Sequence, residues 1–335
     1  MRKETRFAFD AFLDAIAKLN GVTNATQKFA VAPSVQQKLE TRIQESSDFL
    51  KRVNVIGVTE QSGAKLGLGV GSPIASTTDT SVKDRETADV TDLDENGYNA
   101  TQTNFDSHIT YALLDAWAKF PDFQTRIRDV IVRRQALDRI AIGFNGKTRA
   151  KTSDRNANPL LQDVNKGWLQ RMRDQAPQRV MTDGATAGKV KVGAAGDYAN
   201  LDALVVDLVA SMIEPWHQDD TALVVMCGRG LLHDKYFPLI NKSQAPSEML
   251  AADVITSQKR IGNLPAVTVP FFPANAVLVT SFDNLSLYYQ DSARRRTIVD
   301  NAKRDRIENF ESSNDAYVVE DLGRAAMAEN IEIIA

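Results

Sequence analysis

Cysteine and histidine are scarce in this sequence. Cys227 is the only cysteine among 335 residues, so no intramolecular disulfide can form and a cysteine-rich metal site is excluded. A single cysteine also fits a reducing compartment. The three histidines, His108, His217 and His233, lie far apart, and a histidine metal centre would need folding to bring at least two of them together. We therefore expect no metal site.

Long apolar runs and an excess of basic charge are missing as well. No stretch approaches the roughly 20 apolar residues of a membrane-spanning helix. Asp10, Asp14 and Lys18 interrupt the N-terminal apolar residues, which excludes a signal peptide. The net charge of −3 does not suit a sequence-specific nucleic-acid-binding protein. The 43% hydrophobic and 25% charged residues are instead typical of a globular protein with a sizeable core.

Motifs of catalysis and cofactor binding are also absent. The chain has no G-x-S-x-G, no H-E-x-x-H and no calcium loop. The glycines of 63–71 are not followed by a further glycine after two spacers, nor by the helix of a dinucleotide site. GRG at 228–230 lacks the lysine and hydroxyl of a phosphate loop. We expect no catalytic residue and no cofactor. A soluble α/β enzyme whose site has no linear motif stays open as an alternative.

The N-terminal pattern predicts an amphipathic helix over residues 2–20, followed by a stop at Gly21 and a polar stretch. Two interpretations stay open: a separate helix on a linker, or an ordinary first helix packed on the core. Next come a predicted helix at 34–50 and strands at 52–58 and 63–71. Residues 76–104 hold almost no large apolar side chains, so this segment is either disordered or contacts another molecule.

The longest predicted helix runs over 121–143. Its apolar side comprises Phe123, Ile127, Val130, Ile131, Leu137, Ile140 and Ile142. Its basic residues are Arg126, Arg128, Arg133, Arg134 and Arg139, which we interpret as a solvated face. We expect Ile127, Val130 and Ile131 to be buried. Further helices are predicted at 201–213, from Leu231 and at 248–257, with strands between them, so the fold class is α+β.

Several long stretches resemble one family, the major capsid proteins of peduovirus-type tailed bacteriophages. They are QESSDFLKRVNV (44–55), GSPIASTTDT (71–80), LLQDVNKGWLQ (160–170), SEMLAADVITSQKRIGNLPAVTVPFFP (247–273) and DRIENFESSNDAYVVED (305–321). They occur in the family's order across nearly the whole chain. The resemblance implies a Hong Kong 97-type capsid fold and a shell protein of the virion without a catalytic site. A tail-tube or baseplate protein is a further structural alternative.

The resemblance also implies a division of the chain and a set of partners. The expected parts are an N-terminal assembly segment (1–29), an N-arm with the first strands (30–71), an extended loop (72–106), a peripheral domain (107–200) whose spine helix is 121–143, an axial domain (201–299) and a return to the periphery (300–335). The expected partners are further copies in hexamers and pentamers, a scaffolding protein with a protease domain, and a portal. The shell would enclose double-stranded DNA without sequence-specific contacts, and no membrane is involved.

Two sets of site residues follow. The resemblance implies trimming of the N-terminus, and we place the cut near Phe29 and Ala30, in an extended stretch that includes Lys28. The second set is a possible contact between subunits. The acidic residues Asp84, Glu86, Asp89, Asp92, Asp94 and Glu95 of the extended loop are expected to dock against Arg126, Arg128, Arg133 and Arg134 of a neighbouring spine helix. The alternative is that both sets are simply solvated.

Overall fold

The computed structural model describes residues 1–65, 69–70, 75–85, 87, 91–92, 97–117, 120, 122–240 and 259–334. Its helices are α1 (Lys3–Asn20), α2 (Pro33–Glu45), α3 (Tyr111–Trp117), α4 (Phe123–Asn145), α5 (Trp168–Gln175), α6 (Leu201–Met212) and α7 (Arg229–Ile240). Within this part of the chain, no helix combines the length and apolarity that a bilayer span requires. The helix expected at 248–257 lies outside the described residues.

Nineteen strands are assigned in the described ranges. They are β1 (Phe29–Ala30), β2 (Asn54–Val58), β3 (Ser62–Gly63), β4 (Gly69–Val70), β5 (Thr91–Asp92), β6 (Tyr98–Asn99), β7 (Thr101–Asn104), β8 (Ser107–Thr110), β9 (Val180–Met181), β10 (Val190–Val192), β11 (Val224–Cys227), β12 (Arg260–Ile261), β13 (Leu264–Thr268), β14 (Val277–Thr280), β15 (Leu285–Gln290), β16 (Arg295–Asn301), β17 (Arg306–Val319), β18 (Ala326–Ala328) and β19 (Ile331–Ile333).

A seven-stranded sheet is organised around β17, which is 14 residues long. Along one edge β17 pairs antiparallel with β15 and β16, and along the other with β7 and β8. β1 pairs antiparallel with β16 and β2 pairs parallel with β15, which completes the sheet. The chain between β2 and β7 forms a two-stranded arm from the antiparallel pairs β3–β6, where Ser62 lies opposite Asn99, and β4–β5.

A six-stranded sheet of order β12-β13-β11-β14-β18-β9 forms the second layer. Its strands alternate between two cores with period two. Val224 and Met226 of β11 join the core shared with the large sheet, whereas Val225 and Cys227 face the core under α6. Because both faces are covered, β11 is fully buried.

Sheet membership does not follow the predicted domain boundaries. The expected axial part, 201–299, contributes β15 and most of β16 to the large sheet. The expected return, 300–335, contributes β18 to the six-stranded sheet. In both sheets these strands pair with segments that are distant in the sequence, and local sequence patterns do not show such pairing. The division into peripheral and axial domains stays a prediction.

The N-terminal helix α1 packs against the rest of the protein. Phe9, Ile16 and Ala17 are buried in one cluster with residues of α3, α4, β16 and β17. The left-handed conformation of Gly21 (φ 65°) ends α1, and the chain turns back so that β1 pairs with β16. Of the two interpretations of this segment, the packed first helix describes the structure.

The spine helix α4 lies along β17, and two expectations about its faces are wrong. Its stripe at spacing four, Ile127, Ile131, Gln135 and Arg139, contacts residues of the large sheet. Val130 lies outside this stripe and is 58% exposed, although it was expected to be buried. Arg139 was assigned to the solvated face, yet it is 1% exposed. Ile127 is buried as expected, and Ile131 is partly buried.

Truncation of Ile127 and of Val130 should therefore have unequal effects. We expect Ile127→Ala to lower the free energy of unfolding by about 2–5 kcal/mol, because the change leaves a cavity between α4 and the sheet. The matched control Val130→Ala should change it by less than about 0.5 kcal/mol, because this side chain already contacts water. Urea unfolding of both variants measures the difference, and equal losses would contradict the observed orientation of α4.

Candidate intersubunit surfaces

A buried ionic cluster fixes α4 on the large sheet. Arg139 of α4 donates to Asp315 of β17 (Nε to Oδ2, 3.0 Å) and also pairs with Glu40 of α2. Arg294, just before β16, donates to Glu40 Oε1 at 2.5 Å and to Glu311 Oε1 of β17 at 2.7 Å. Two arginines are therefore shared among three carboxylates, one from α2 and two from β17.

A glutamine and a serine complete this cluster. Gln135 Nε2 donates to Glu311 Oε2 at 2.8 Å, and its Oε1 accepts from Arg294 at 2.7 Å. Ser313 donates to Asp315 Oδ1 at 2.6 Å. Buried polar groups are costly unless their hydrogen bonds are satisfied. Their mutual pairing makes the cluster compatible with complete burial and sets the position of α4 along β17.

The electrostatics of the cluster favour its charged form. Burial alone would raise the pKa of Glu311, but the charges of Arg294 and Arg296 outweigh it and lower the pKa to about 2. Burial also opposes ionisation of Glu40, whereas Arg139 and Arg294 lower its pKa. These carboxylates are consequently ionised at neutral pH.

The sequence analysis missed this cluster, although β17 carries a signal for it. Alternate residues of β17 point to the same face. This face reads Ile307, Asn309, Glu311, Ser313, Asp315, Tyr317 and Val319, with polar residues between apolar ends. Carboxylates at the centre of a strand face that a helix covers require partners of opposite charge. Such a pattern therefore predicts buried arginines on the elements that pack against this face.

The remaining basic residues of α4 are exposed, as expected. Arg126 pairs with Asp122 at 2.8 Å, Arg128 with Asp129 at 2.9 Å, and Arg134 with Asp138 at 2.6 Å. Arg133 is exposed too. Most of these guanidinium groups therefore already have a carboxylate on or beside their own helix, and a partner subunit would have to share or displace it.

A cleft of about 540 Å³ borders α4 where Arg134 and Asp138 project. Residues 102–107 and the loop 149–164 form its other walls, with Arg149, Lys151 and Arg155 among the lining residues. Burial raises the pKa of Asp138. Asp163 is 9% exposed, and its Oδ1 has no hydrogen-bond partner among the described residues. The cleft is thus a polar recess beside the spine helix, lined by four basic residues and by Asp106, Asp138 and Asp163.

Most of the acidic loop residues lie outside the described ranges. Asp84 is exposed, and the stretch 75–85 around it is almost entirely solvent-accessible. Asp92 belongs to β5 opposite Gly69, so the backbone places it in the two-stranded arm. Glu86, Asp89, Asp94 and Glu95 lie outside the described residues. Their expected contact with a neighbouring spine helix stays a prediction.

The expected cut lies in a paired strand. Phe29 is 8% exposed, and β1 places it opposite Arg296 of β16. Lys28 and Ala30 on either side are exposed. A protease binds its substrate as an unpaired extended segment, so β1 would have to leave β16 before a cut at this bond. The cut site stays a prediction.

Comparison with solved structures defines the class of protein. A chain of the satellite phage P4 procapsid, which includes the size determination (Sid) protein, superposes with a TM-score of 0.84 at 52% sequence identity, covering 100% of this chain and 99% of that one. The capsid chain of an empty GTA particle matches with a TM-score of 0.52 at 18% identity over 86% of this chain and 90% of that one, a likeness of fold alone. The fold is that of phage capsid proteins of the Hong Kong 97 type.

Sequence comparison then gives the family. The model of the phage major capsid protein, P2 family, matches residues 8–331. The capsid protein of Escherichia phage P2 is 54% identical over 99% of this chain and 96% of its own length. The major capsid protein of Serratia phage KSP20 is 41% identical over 99% and 97%. The chain belongs to the P2 family of phage major capsid proteins, as the resemblance in its sequence indicated.

Proposed function

We propose that this protein is the repeating subunit of an icosahedral phage shell that encloses double-stranded DNA and has no catalytic site. The observation that carries the proposal is the family match over residues 8–331, together with the TM-score of 0.84 to a procapsid chain. The net charge of −3 supports containment. A strongly basic lining would hold DNA through many phosphate contacts and would oppose its movement during packing.

The proposed partners follow from the same family. Further copies would form hexamers and pentamers, an internal scaffolding protein with a protease domain would guide assembly, and a portal would occupy one vertex. The proposed peripheral domain contains the spine helix α4, and the proposed axial domain contains α6 and β11. A scaffold would also trim the N-terminus near Phe29, and the mass of the subunit from mature particles tests this cut.

Electron microscopy of the expressed protein, with and without a scaffolding protein, tests the proposed function. Closed shells support a capsid subunit, whereas tubes or discs would indicate a tail protein. A stable small oligomer with measurable turnover would instead indicate an enzyme. Light scattering of the same preparation gives the particle mass and separates these outcomes independently.

We further propose that the acidic loop residues of one subunit dock on the basic residues of the recess beside α4 of the next. The cleft supports this proposal, because Arg134, Arg149, Lys151 and Arg155 lie around one depression. Single exposed ion pairs contribute only about 0–1 kcal/mol each. Many repeated contacts around a closed shell act together, however, because several neighbours hold each subunit at once.

Charge reversal tests this contact. Changing Asp92, Asp94 and Glu95 to lysine should reduce the yield of shells several-fold without unfolding the subunit, and salt should weaken the wild-type contact through screening over about 8 Å. Adding Arg133→Glu and Arg134→Glu should restore part of the yield, which is the matched control for a nonspecific charge effect. Normal assembly of the triple variant at low and moderate salt would show that the charge of the loop does not join subunits.

A further inference from the structure

The N-terminal segment, residues 1–29, fills an apolar cleft in the rest of the protein. It contributes Phe9, Ile16, Ala17, Ala25 and Phe29 to one buried cluster, and the cleft contributes Leu114, Ile127, Ile298 and Ile307. These cleft residues belong to α3, α4, β16 and β17, which also make contacts without the segment. The buried core under both sheets contains no residue of the segment. The segment is therefore an insert on one side of the molecule.

Polar contacts hold the first turns of α1 at the rim of this cleft. Asp115 Oδ1 accepts from the Thr5 hydroxyl at 2.5 Å and from the backbone N–H of Arg2 at 2.9 Å. Arg6 pairs with Asp300 at 2.5 Å, and the Tyr111 hydroxyl donates to the same carboxylate. Both carboxylates belong to the body of the protein, so the segment is anchored at its start as well as along its apolar face.

The end of the segment covers the free edge of the large sheet. Ala25 O accepts from the N–H of Ile298 at 3.1 Å, and Phe29 of β1 lies opposite Arg296. Between α1 and β1 the chain is mostly exposed, including Gln27 and Lys28. The segment thus covers both an apolar cleft and the edge of a strand. Surfaces of both kinds favour association with other chains when they are exposed.

We propose that this cleft, rather than the peptide bond after Phe29, holds residues 1–29. A cut at that bond breaks one covalent link and removes none of the contacts that α1 makes with the cleft. The segment then stays seated as a separate peptide, and its departure, not the cut, uncovers the cleft and the edge of β16. This inference deepens the proposed N-terminal trimming, but it concerns the binding of the segment and not the protease.

A site-specific protease sequence, inserted in the full-length chain between Gln27 and Lys28, tests the proposal. After digestion of the purified subunit, the N-terminal fragment should co-elute with the remainder in size-exclusion chromatography. Phe9→Ala should accelerate its loss by about 100-fold, because the buried ring is deleted. The matched control Phe7→Ala should change the rate less than about 2-fold, because Phe7 is 64% exposed on the same helix.

Thr5→Val provides a milder variant in case Phe9→Ala does not fold, because it removes only the hydroxyl that binds Asp115 and should still accelerate release several-fold. Immediate loss of the wild-type fragment from a body that remains folded by circular dichroism would overturn the proposal. Unfolding of the body on digestion would overturn it too. An uncut N-terminus in mature particles would contradict the proposed trimming and would leave this result unaffected.

Discussion

Replacing Arg139 with methionine should lower the free energy of unfolding by about 3–5 kcal/mol. The substitution keeps much of the side-chain volume but leaves Glu40 and Asp315 with fewer counter-charges in a site from which water is excluded. A buried ion pair need not stabilise a protein relative to an apolar replacement of the whole cluster. Removal of one partner is nevertheless costly, because the remaining charges stay buried.

Arg133→Met is the matched control for this experiment. Arg133 lies on the same helix, but it is exposed, so its replacement should change the free energy of unfolding by less than about 0.5 kcal/mol. Adding Glu40→Gln to Arg139→Met should recover part of the loss, since one uncompensated charge disappears. Urea unfolding of Arg139→Met, Glu40→Gln and the double variant measures the coupling between the two residues, with Arg133→Met as the control. A cost under 1 kcal/mol for Arg139→Met would mean that the cluster is solvated.

Trp168→Ala should have an effect of similar size, about 3–5 kcal/mol. Trp168 is fully buried, with ring centroids 5.3 Å from Phe144 and 5.2 Å from Tyr317, and its Nε1 donates to Ser286 O at 2.9 Å. Its truncation leaves a large cavity where α4, α5 and both sheets meet, and it also leaves a backbone carbonyl of β15 without its donor.

Trp216→Ala is the control, because this indole is 53% exposed. We expect a change of less than about 0.5 kcal/mol for it. Thermal or urea unfolding followed by far-ultraviolet circular dichroism measures both variants without depending on tryptophan fluorescence. Similar losses for Trp168→Ala and Trp216→Ala would contradict the central place of Trp168 in the core.

The environment of Trp168 also explains a glycine inside the spine helix. A Cβ on Gly143 would lie 2.2 Å from the indole Cζ3, so only glycine lets α5 approach α4 this closely. Glycine in a helix interior ordinarily costs up to about 1 kcal/mol. Here the missing side chain provides the space that the largest buried residue occupies, and the sequence pattern of α4 alone did not show this.

The sequence by itself determined the elements whose signals are local. The amphipathic pattern of α1 and the apolar stretch of α6 gave their positions, and the spacing along α4 gave a helix within two residues of its actual ends. The family followed from long matching stretches, and the comparisons confirmed it. The cut near Phe29 and the contact between the acidic loop and spine-helix arginines stay predictions, because they depend on other molecules.

Only the tertiary structure decided which faces are buried. Arg139 is one of five arginines on α4 and differs from the others solely in its partners, Glu40 and Asp315, which are 99 and 176 positions away. Val130 is exposed because it lies outside the stripe of α4 that contacts the large sheet. Helical periodicity defines how side chains are arranged around the helix axis. Contacts between distant segments fix how the helix is rotated about that axis, and so which side chains face the sheet. A buried charge can therefore be recognised only once the tertiary structure shows which opposite charges contact it.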